Sequence, residues 1–379
     1  MKHELAPVNV WSAGPLPREV AGRLKRLRGA EDVRRVAVMP DDVHLAEGVC
    51  IGVVTATERL VYPEAVGGDV GCGLSAVPIG APADLFHGED AGSALLQAFR
   101  AAVPVRVHTH RTRPELPREL FDWSLSHLGL ERLKLREGRY ELGTLGRGNH
   151  FLELQADEEG GLWLVVHSGS RAMGRAILAH HLRNAERGRS RLLWLDSSDE
   201  HGRAYLDDLA WARRYAELNR RHVLQAAAGA LARLFGVEPR WDALSTCDHN
   251  HVRREPHFGG ELLVHRKGAI SASPGEPGIL PGSMGTATYH VTGRGEPLAL
   301  RSSSHGAGRA FSRSEARERI RARDLRREMG RVHFDRARAA RLVDQAPSAY
   351  RDVRAVMRAQ RDLVRIERRL RPPLCYKGL

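Results

Sequence analysis

Four histidines, each set among glycines or small polar residues, are strung along the middle and end of the chain. They lie in Gly148-Asn149-His150-Phe151-Leu152-Glu153, Val166-His167-Ser168-Gly169-Ser170-Arg171, Asp248-His249-Asn250 and Ser304-His305-Gly306-Ala307-Gly308-Arg309. Glycine lets a backbone approach a ligand closely, and an imidazole beside it is a ready ligand, base or nucleophile. Any one of these segments alone reads as a satisfied structural histidine. A fifth segment, Gly67-Gly68-Asp69-Val70-Gly71-Cys72-Gly73, adds a carboxylate and a thiol. Asp69, Cys72, His150, His167 and His249 together can complete the coordination spheres of two divalent cations if the thiolate bridges. Sulfur and imidazole also suit zinc, and the spacing does not choose the metal. If these residues serve one site, the whole chain must fold around it.

The local patterns alternate accordingly. Residues 33–79 read as strands, with apolar runs such as Val36-Ala37-Val38-Met39 broken by glycine and proline. Residues 91–136 read as helical, with an amphipathic stretch around Leu116–Leu135. Trp163-Leu164-Val165-Val166-His167 reads as a strand, and Ala204 to Phe235 has helical spacing. Short strands and glycine-rich loops return from Leu262 to Leu300, and residues 313–370 read as a basic helical region. No repeat, linker or boundary divides the chain, so the expectation is a single α+β domain over residues 1–379.

Hydrophobic residues make up 42% of the 379, enough for a sizeable core, and 28% are charged. No apolar run approaches bilayer length, and Met1-Lys2-His3-Glu4-Leu5 has no signal-peptide character, so a cytoplasmic protein with no membrane association is expected. The four cysteines form no CxxC pair, which suits a reducing compartment. The net charge of +13 favours a polyanionic partner, because cationic contacts to phosphates release counterions, although an arginine-rich composition also follows from a GC-rich genome. In 313–370 the arginines alternate with acids, as on a solvated helix face laced with ion pairs.

Two loops have the make-up of anion cradles. Pro281-Gly282-Ser283-Met284-Gly285-Thr286 offers backbone N–H groups and hydroxyls. His305-Gly306-Ala307-Gly308-Arg309 adds a guanidinium able to grip phosphate. Each also reads as an ordinary tight turn.

Taken in order, MPDDVH (39–44), GGDVGCG (67–73), LGTLGRGNHFLE (142–153), VHSGSR (166–171), DHN (248–250), HRKGA (265–269), PGSMGT (281–286), SSHGAGR (303–309) and KG (377–378) resemble the RtcB family. The resemblance implies one RtcB-type domain with central β-sheets flanked by helices, the basic region of about 313–370 being integral to it. It implies a GTP-dependent RNA ligase with two Mn²⁺, joining RNA ends that carry a 2′,3′-cyclic phosphate or 3′-phosphate to 5′-hydroxyl ends. Carried over residue by residue, Asp69, Cys72 and His150 would hold one ion, and Cys72 would bridge to a second held by His167 and His249. His305 would be the nucleophile that takes GMP. The nucleotide would be bound by Asn149, His150, Phe151, Leu152, Glu153, His249, Asn250, Pro281, Gly282, Ser283, Met284, Thr288, His305, Gly306, Ala307, Gly308 and Lys377. Glu153 and Lys377 would read guanine. Arg171 and Arg309 would meet RNA phosphates. The partners implied are tRNA halves or damaged RNA, with room for an activating protein partner.

The chain departs from the family pattern where MPDVH and PGxGxPIG are usual: Asp42 is extra, and Leu45-Ala46-Glu47 replaces the Pro-Gly start. Thr288 stands where serine is common. Two other functions stay open on the residues alone. One is a metal-dependent cyclic phosphodiesterase or phosphatase, which needs the metal ligands but not His305 or Lys377. The other is a catalytically silent RNA-binding protein.

Overall fold

The computed structural model of the protein describes residues 5–12, 16–40, 48–82 and 89–379. Asp42 and Leu45-Ala46-Glu47 lie outside the described residues. Within them the chain forms one α+β unit built on two large sheets. The seven-stranded sheet runs Ser245–Asp248, Gly73–Pro82, Gly161–Ser168, Phe151–Ala156, Val364–Lys377, Thr288–Gly293, Pro277–Pro281, with every neighbouring pair antiparallel. The five-stranded sheet runs Val8–Val10, Val33–Val38, Val53–Thr57, Gly260–Lys267, Asn250–His257, and its first pair is parallel.

The middle strands are apolar on both sides because both faces are covered. On Gly161–Ser168, Leu162, Leu164 and Val166 face one core while Trp163 and Val165 face another. The first core is closed by the helix Glu89–Ala102 and by the C-terminal half of the helix Glu200–Phe235. That 36-residue helix begins at Asp199, whose carboxylate accepts the Gly202 N–H at 2.7 Å, and ends at Gly236 in the left-handed conformation, φ 67°. Full burial of a leucine such as Leu224 is worth about 1.5–3 kcal/mol. The second core is closed by short helices from the basic region.

Two sequence expectations need correction. Residues 313–370 are not one helical stretch: helices Arg313–Arg319, Ala322–Met329 and Val353–Ala359 alternate with 3₁₀ turns, and from Val364 the chain is a 14-residue strand. Its partners, 71 or more positions away in sequence, supply what local propensity does not reveal. The Leu116–Leu135 stretch is likewise broken, into Arg118–Phe121 and Leu128–Leu133. In the unwound segment the carbonyls of Phe121 (3.2 Å) and Trp123 (3.1 Å) accept from the buried Lys134 ammonium, which also pairs with the Glu131 carboxylate. Among the described residues no helix is long and apolar enough to cross a membrane.

The strand register is what builds the site. Asp248 pairs with Gly73, Gly73 with Ser168, His167 with Phe151, and Phe151 with Lys377. Five adjacent strands therefore end at one rim, which collects Cys72, His150, His167, His249 and Lys377. His249 is also where the chain leaves one large sheet at Asp248 and enters the other at Asn250.

Candidate metal centre and active site

At this rim the five expected metal ligands converge. Cys72 Sγ lies 3.4 Å from His150 Nε2 and 3.3 Å from His167 Nε2. His150 Nε2 is 3.1 Å from Asp69 Oδ2, and His167 Nε2 is 3.0 Å from His249 Nε2. The donors form two triads, Asp69–Cys72–His150 and Cys72–His167–His249, which share the sulfur, each with ligand atoms within 4.8 Å of one another. Metal–ligand bonds of about 2.0–2.3 Å require donors roughly 3.0–3.8 Å apart, so the set fits two cations bridged by Cys72. The His305 ring stacks at a tilt over that of His249, 4.6 Å between centroids.

Electrostatics prepare the donors. Burial holds the His167 imidazole far below its usual range and carries His249 down to about 3, with neighbouring imidazoles adding to the effect. Both rings are therefore neutral, with lone pairs to offer. Burial raises the Asp69 carboxyl, but the His150 hydrogen bond and charge outweigh it and bring it to about 2. Burial, reinforced by Asp69, pushes the Cys72 thiol well up. A thiolate there needs a cation, so ion binding and proton release are coupled.

The ligands are held by residues that the sequence analysis passed over. Asn219 donates to Ser168 Oγ (2.9 Å) and the Thr144 carbonyl (3.1 Å) and accepts from the Gly143 N–H (2.7 Å). Arg220 donates to the carbonyls of Gly71 (2.8 Å) and Ser168 (3.1 Å), fixing the loops that carry Cys72 and His167. Their signal was two polar residues inside the apolar face of an alanine- and leucine-rich helix. Asn250 donates to the Asp69 carbonyl at 2.9 Å, and its oxygen meets the Gly268 N–H (2.9 Å) and His249 Nδ1 (3.3 Å). Gly169 packs so closely on Asp69 and Cys72 that a Cβ there would strike the carboxylate.

A cavity of about 930 Å³ opens over this cluster. Of the expected nucleotide residues, it is lined by Asn149, Phe151, His249, Asn250, Pro281 to Met284, His305 to Gly308 and Lys377, and of the expected RNA contacts by Arg309. His150 stands just behind, against Cys72. Leu152 turns its side chain into the core on the opposite face of the sheet. Glu153 and Thr288 are buried off the cavity wall: Gln155 donates to Glu153 Oε2 (2.6 Å) and Thr288 Oγ1 (2.9 Å). Burial raises the Glu153 carboxyl and lowers the Lys377 ammonium. Lys377 Nζ donates to Gln345 Oε1 at 3.0 Å. In the 281–286 loop, the Gly282 and Ser283 N–H groups already bond within the turn, to the Ala287 carbonyl (2.9 Å) and Thr286 Oγ1 (2.7 Å). Arg309 donates to the carbonyls of Phe311 (3.0 Å) and Asp344 (2.8 Å) and lies over the Tyr350 ring. Arg171, off the cavity wall and with a positive φ of 56°, reaches Thr144 Oγ1 (3.2 Å) and His150 Nδ1 (3.4 Å). Lys267, Arg313 and Tyr350 also line the cavity and were not anticipated.

The family model described as tRNA-splicing ligase RtcB matches residues 24–129 and 122–378. The chain is 37% identical over 406 residues to the RNA-splicing ligase RtcB of Escherichia coli (strain K12), covering 99% of this chain and 98% of that protein. Against the RNA-splicing ligase RtcB of Mycobacterium tuberculosis the identity is 31% over 424 residues, with 91% and 97% covered. Matched along nearly its whole length, the chain belongs to the RtcB family.

Proposed function

We propose that this protein is an RNA ligase that works in the cytoplasm with GTP and two Mn²⁺, joining 2′,3′-cyclic phosphate or 3′-phosphate ends to 5′-hydroxyl ends in RNA repair or tRNA splicing. One observation carries the reading: two donor triads share Cys72, and the His305 ring stacks on a ligand of the second triad at the floor of a nucleotide-sized cavity. The names of the relatives support the ligase class.

In this reading Asp69, Cys72 and His150 hold one cation and Cys72, His167 and His249 the other. When bound, the cations neutralise phosphate charge and steady a departing pyrophosphate. A ring nitrogen of His305 attacks the α-phosphate of GTP, forming a P–N bond as the bond to pyrophosphate breaks. GMP passes from His305 to the RNA 3′-phosphate, the 5′-hydroxyl attacks that phosphate, and GMP leaves. Glu153 accepts from the donor edge of guanine and Lys377 donates to its O6. Asn250, bonded at both ends of its amide, acts by positioning Asp69 and His249. Arg171 contacts an RNA phosphate.

The test is incubation with labelled GTP and Mn²⁺, then with a broken RNA hairpin. A covalent GMP adduct that disappears in His305→Ala, and sealing that requires GTP, are expected. Opening of cyclic phosphates with no adduct would replace the ligase by a metal-dependent phosphodiesterase. Dependence on ATP alone would overturn the guanine reading.

A further inference from the structure

Beside the main cavity lies a second, smaller cleft of about 230 Å³, lined by Arg147, Arg313, Arg317 and Arg341 over Asp344 and Gln345. Arg313 lines both spaces, so the cleft continues the cavity outward. Asp344 is 4% exposed, and its Oδ2 lies 3.1 Å from both Arg313 Nη1 and Arg317 Nη2. One buried carboxylate thus pins two guanidinium groups side by side. Each guanidinium carries five N–H donors, so pinning leaves donors turned outward. Arg147 and Arg341 are exposed and make no hydrogen bond or ion pair among the described residues. Four guanidiniums against the Asp344 carboxylate, with Leu379 also on the wall, leave the lining net positive. Like charges gathered this way repel unless an anion joins them, and arginine forks suit phosphate oxygens in particular.

The size of the cleft narrows the choice of anion. Pockets that enclose whole small molecules run from about 300 to 1,000 Å³. This one is smaller and open, which suits a grip on one group of a longer chain. The surrounding segment 313–341 carries eleven arginines against five acids, so the positive field extends beyond the cleft. We propose that the cleft binds an internucleotide phosphate of the RNA strand, outside the reacting ends. This assignment rests on the ligase reading and adds to it a route for the strand, past Arg313 and over Arg147, Arg317 and Arg341.

The test uses the double variant Arg147→Ala/Arg341→Ala, which touches neither the metal ligands nor the main cavity. Binding of labelled single-stranded RNAs of stepped length is followed by fluorescence anisotropy across a salt series, and the GMP adduct is measured in parallel. Adduct formation and dinucleotide binding should be unchanged, while longer RNAs bind about tenfold more weakly. The slope of log affinity against log salt should become shallower by about 0.7 for each RNA phosphate that the variant no longer grips. Long-RNA affinity and salt slope equal to wild type would overturn the proposal. So would millimolar inorganic phosphate binding wild type but not the variant while leaving long-RNA affinity untouched in both, since the cleft would then be a free-phosphate site. If wild type forms no adduct but the variant still loses affinity for long RNA, the ligase reading fails and the cleft assignment stands.

Discussion

Two buried polar clusters meet at residues 248 and 249 and are built on opposite principles. On the Asp248 side every charge faces a counter-charge. Asp248 is paired with His251 (3.0 Å) and Arg213 (2.8 Å), and fully buried Arg266 grips Glu255 through both oxygens at 2.6 and 3.0 Å. His257 completes Glu255 at 3.1 Å. On the His249 side, three imidazoles and a thiol crowd together with one carboxylate and no ammonium or guanidinium bonded to it among the described residues. The first cluster is electrically complete and holds the fold. The second gathers the donor atoms of two triads around one sulfur with a single carboxylate to balance them, a composition that suits added cations.

The largest effect expected from this contrast comes from Cys72→Ala. Losing the shared donor should abolish ion binding at both triads and lower GMP-adduct formation about 10,000-fold or more, above about 5 kcal/mol. The urea midpoint of the ion-free protein should stay level or rise, because a buried polar group is removed. A large drop in that midpoint would erase the distinction between the two clusters. Arg266→Met should do the reverse. It strands Glu255 and costs about 3–5 kcal/mol in urea unfolding, while the folded fraction still labels with GTP. Next in size is Asn250→Ala, which frees Asp69 and His249 to drift; calorimetry should show Mn²⁺ affinity about 10–100-fold weaker with the fold intact.

Acid and base sharpen the contrast further. Ion binding must displace the proton that burial keeps on Cys72, so affinity should climb about tenfold per pH unit near neutrality, with about one proton released per bridged pair. Titrations in buffers of differing ionisation enthalpy would reveal it, and a flat profile would mean that the sulfur is not a ligand. Glu255 behaves oppositely. Burial raises its carboxyl, but the His257 and Arg266 bonds outweigh that and hold it far below the usual range. Its contribution to stability is therefore whole above the unfolded value of about 4.3 and declines as pH falls further. Glu255→Gln should flatten that acid limb of the unfolding curve, the smallest of these effects.

Much of the site was legible in the sequence because its ligands carry their own chemistry. Asp69, Cys72, His150, His167 and His249 stand among glycines or small polar residues at strand ends, and the register brings their side chains together. The α+β organisation was legible for the same reason, since Trp163 to His167 and Ala204 to Phe235 have strong periods. What escaped was set by distant partners. Val364–Lys377 is rich in arginine, a good helix former, yet pairing with Thr288–Gly293 and Phe151–Ala156 makes it a strand. Asn219 and Arg220 stand out in the sequence only as polar residues on an apolar helix face, and the loops that they hold come from distant segments. Leu152 was grouped with the nucleotide contacts, but the alternation of a strand turns it away from its neighbour Phe151.

The placement of His249 has a further consequence. Its two peptide neighbours belong to different sheets, so no spacer residue separates His249 from either one. A small slide of one sheet over the other would displace this ring relative to Cys72 before any core residue reached water. On warming, the protein should surrender its ions ahead of its secondary structure, making bound metal an early thermometer of how tightly the two halves are docked.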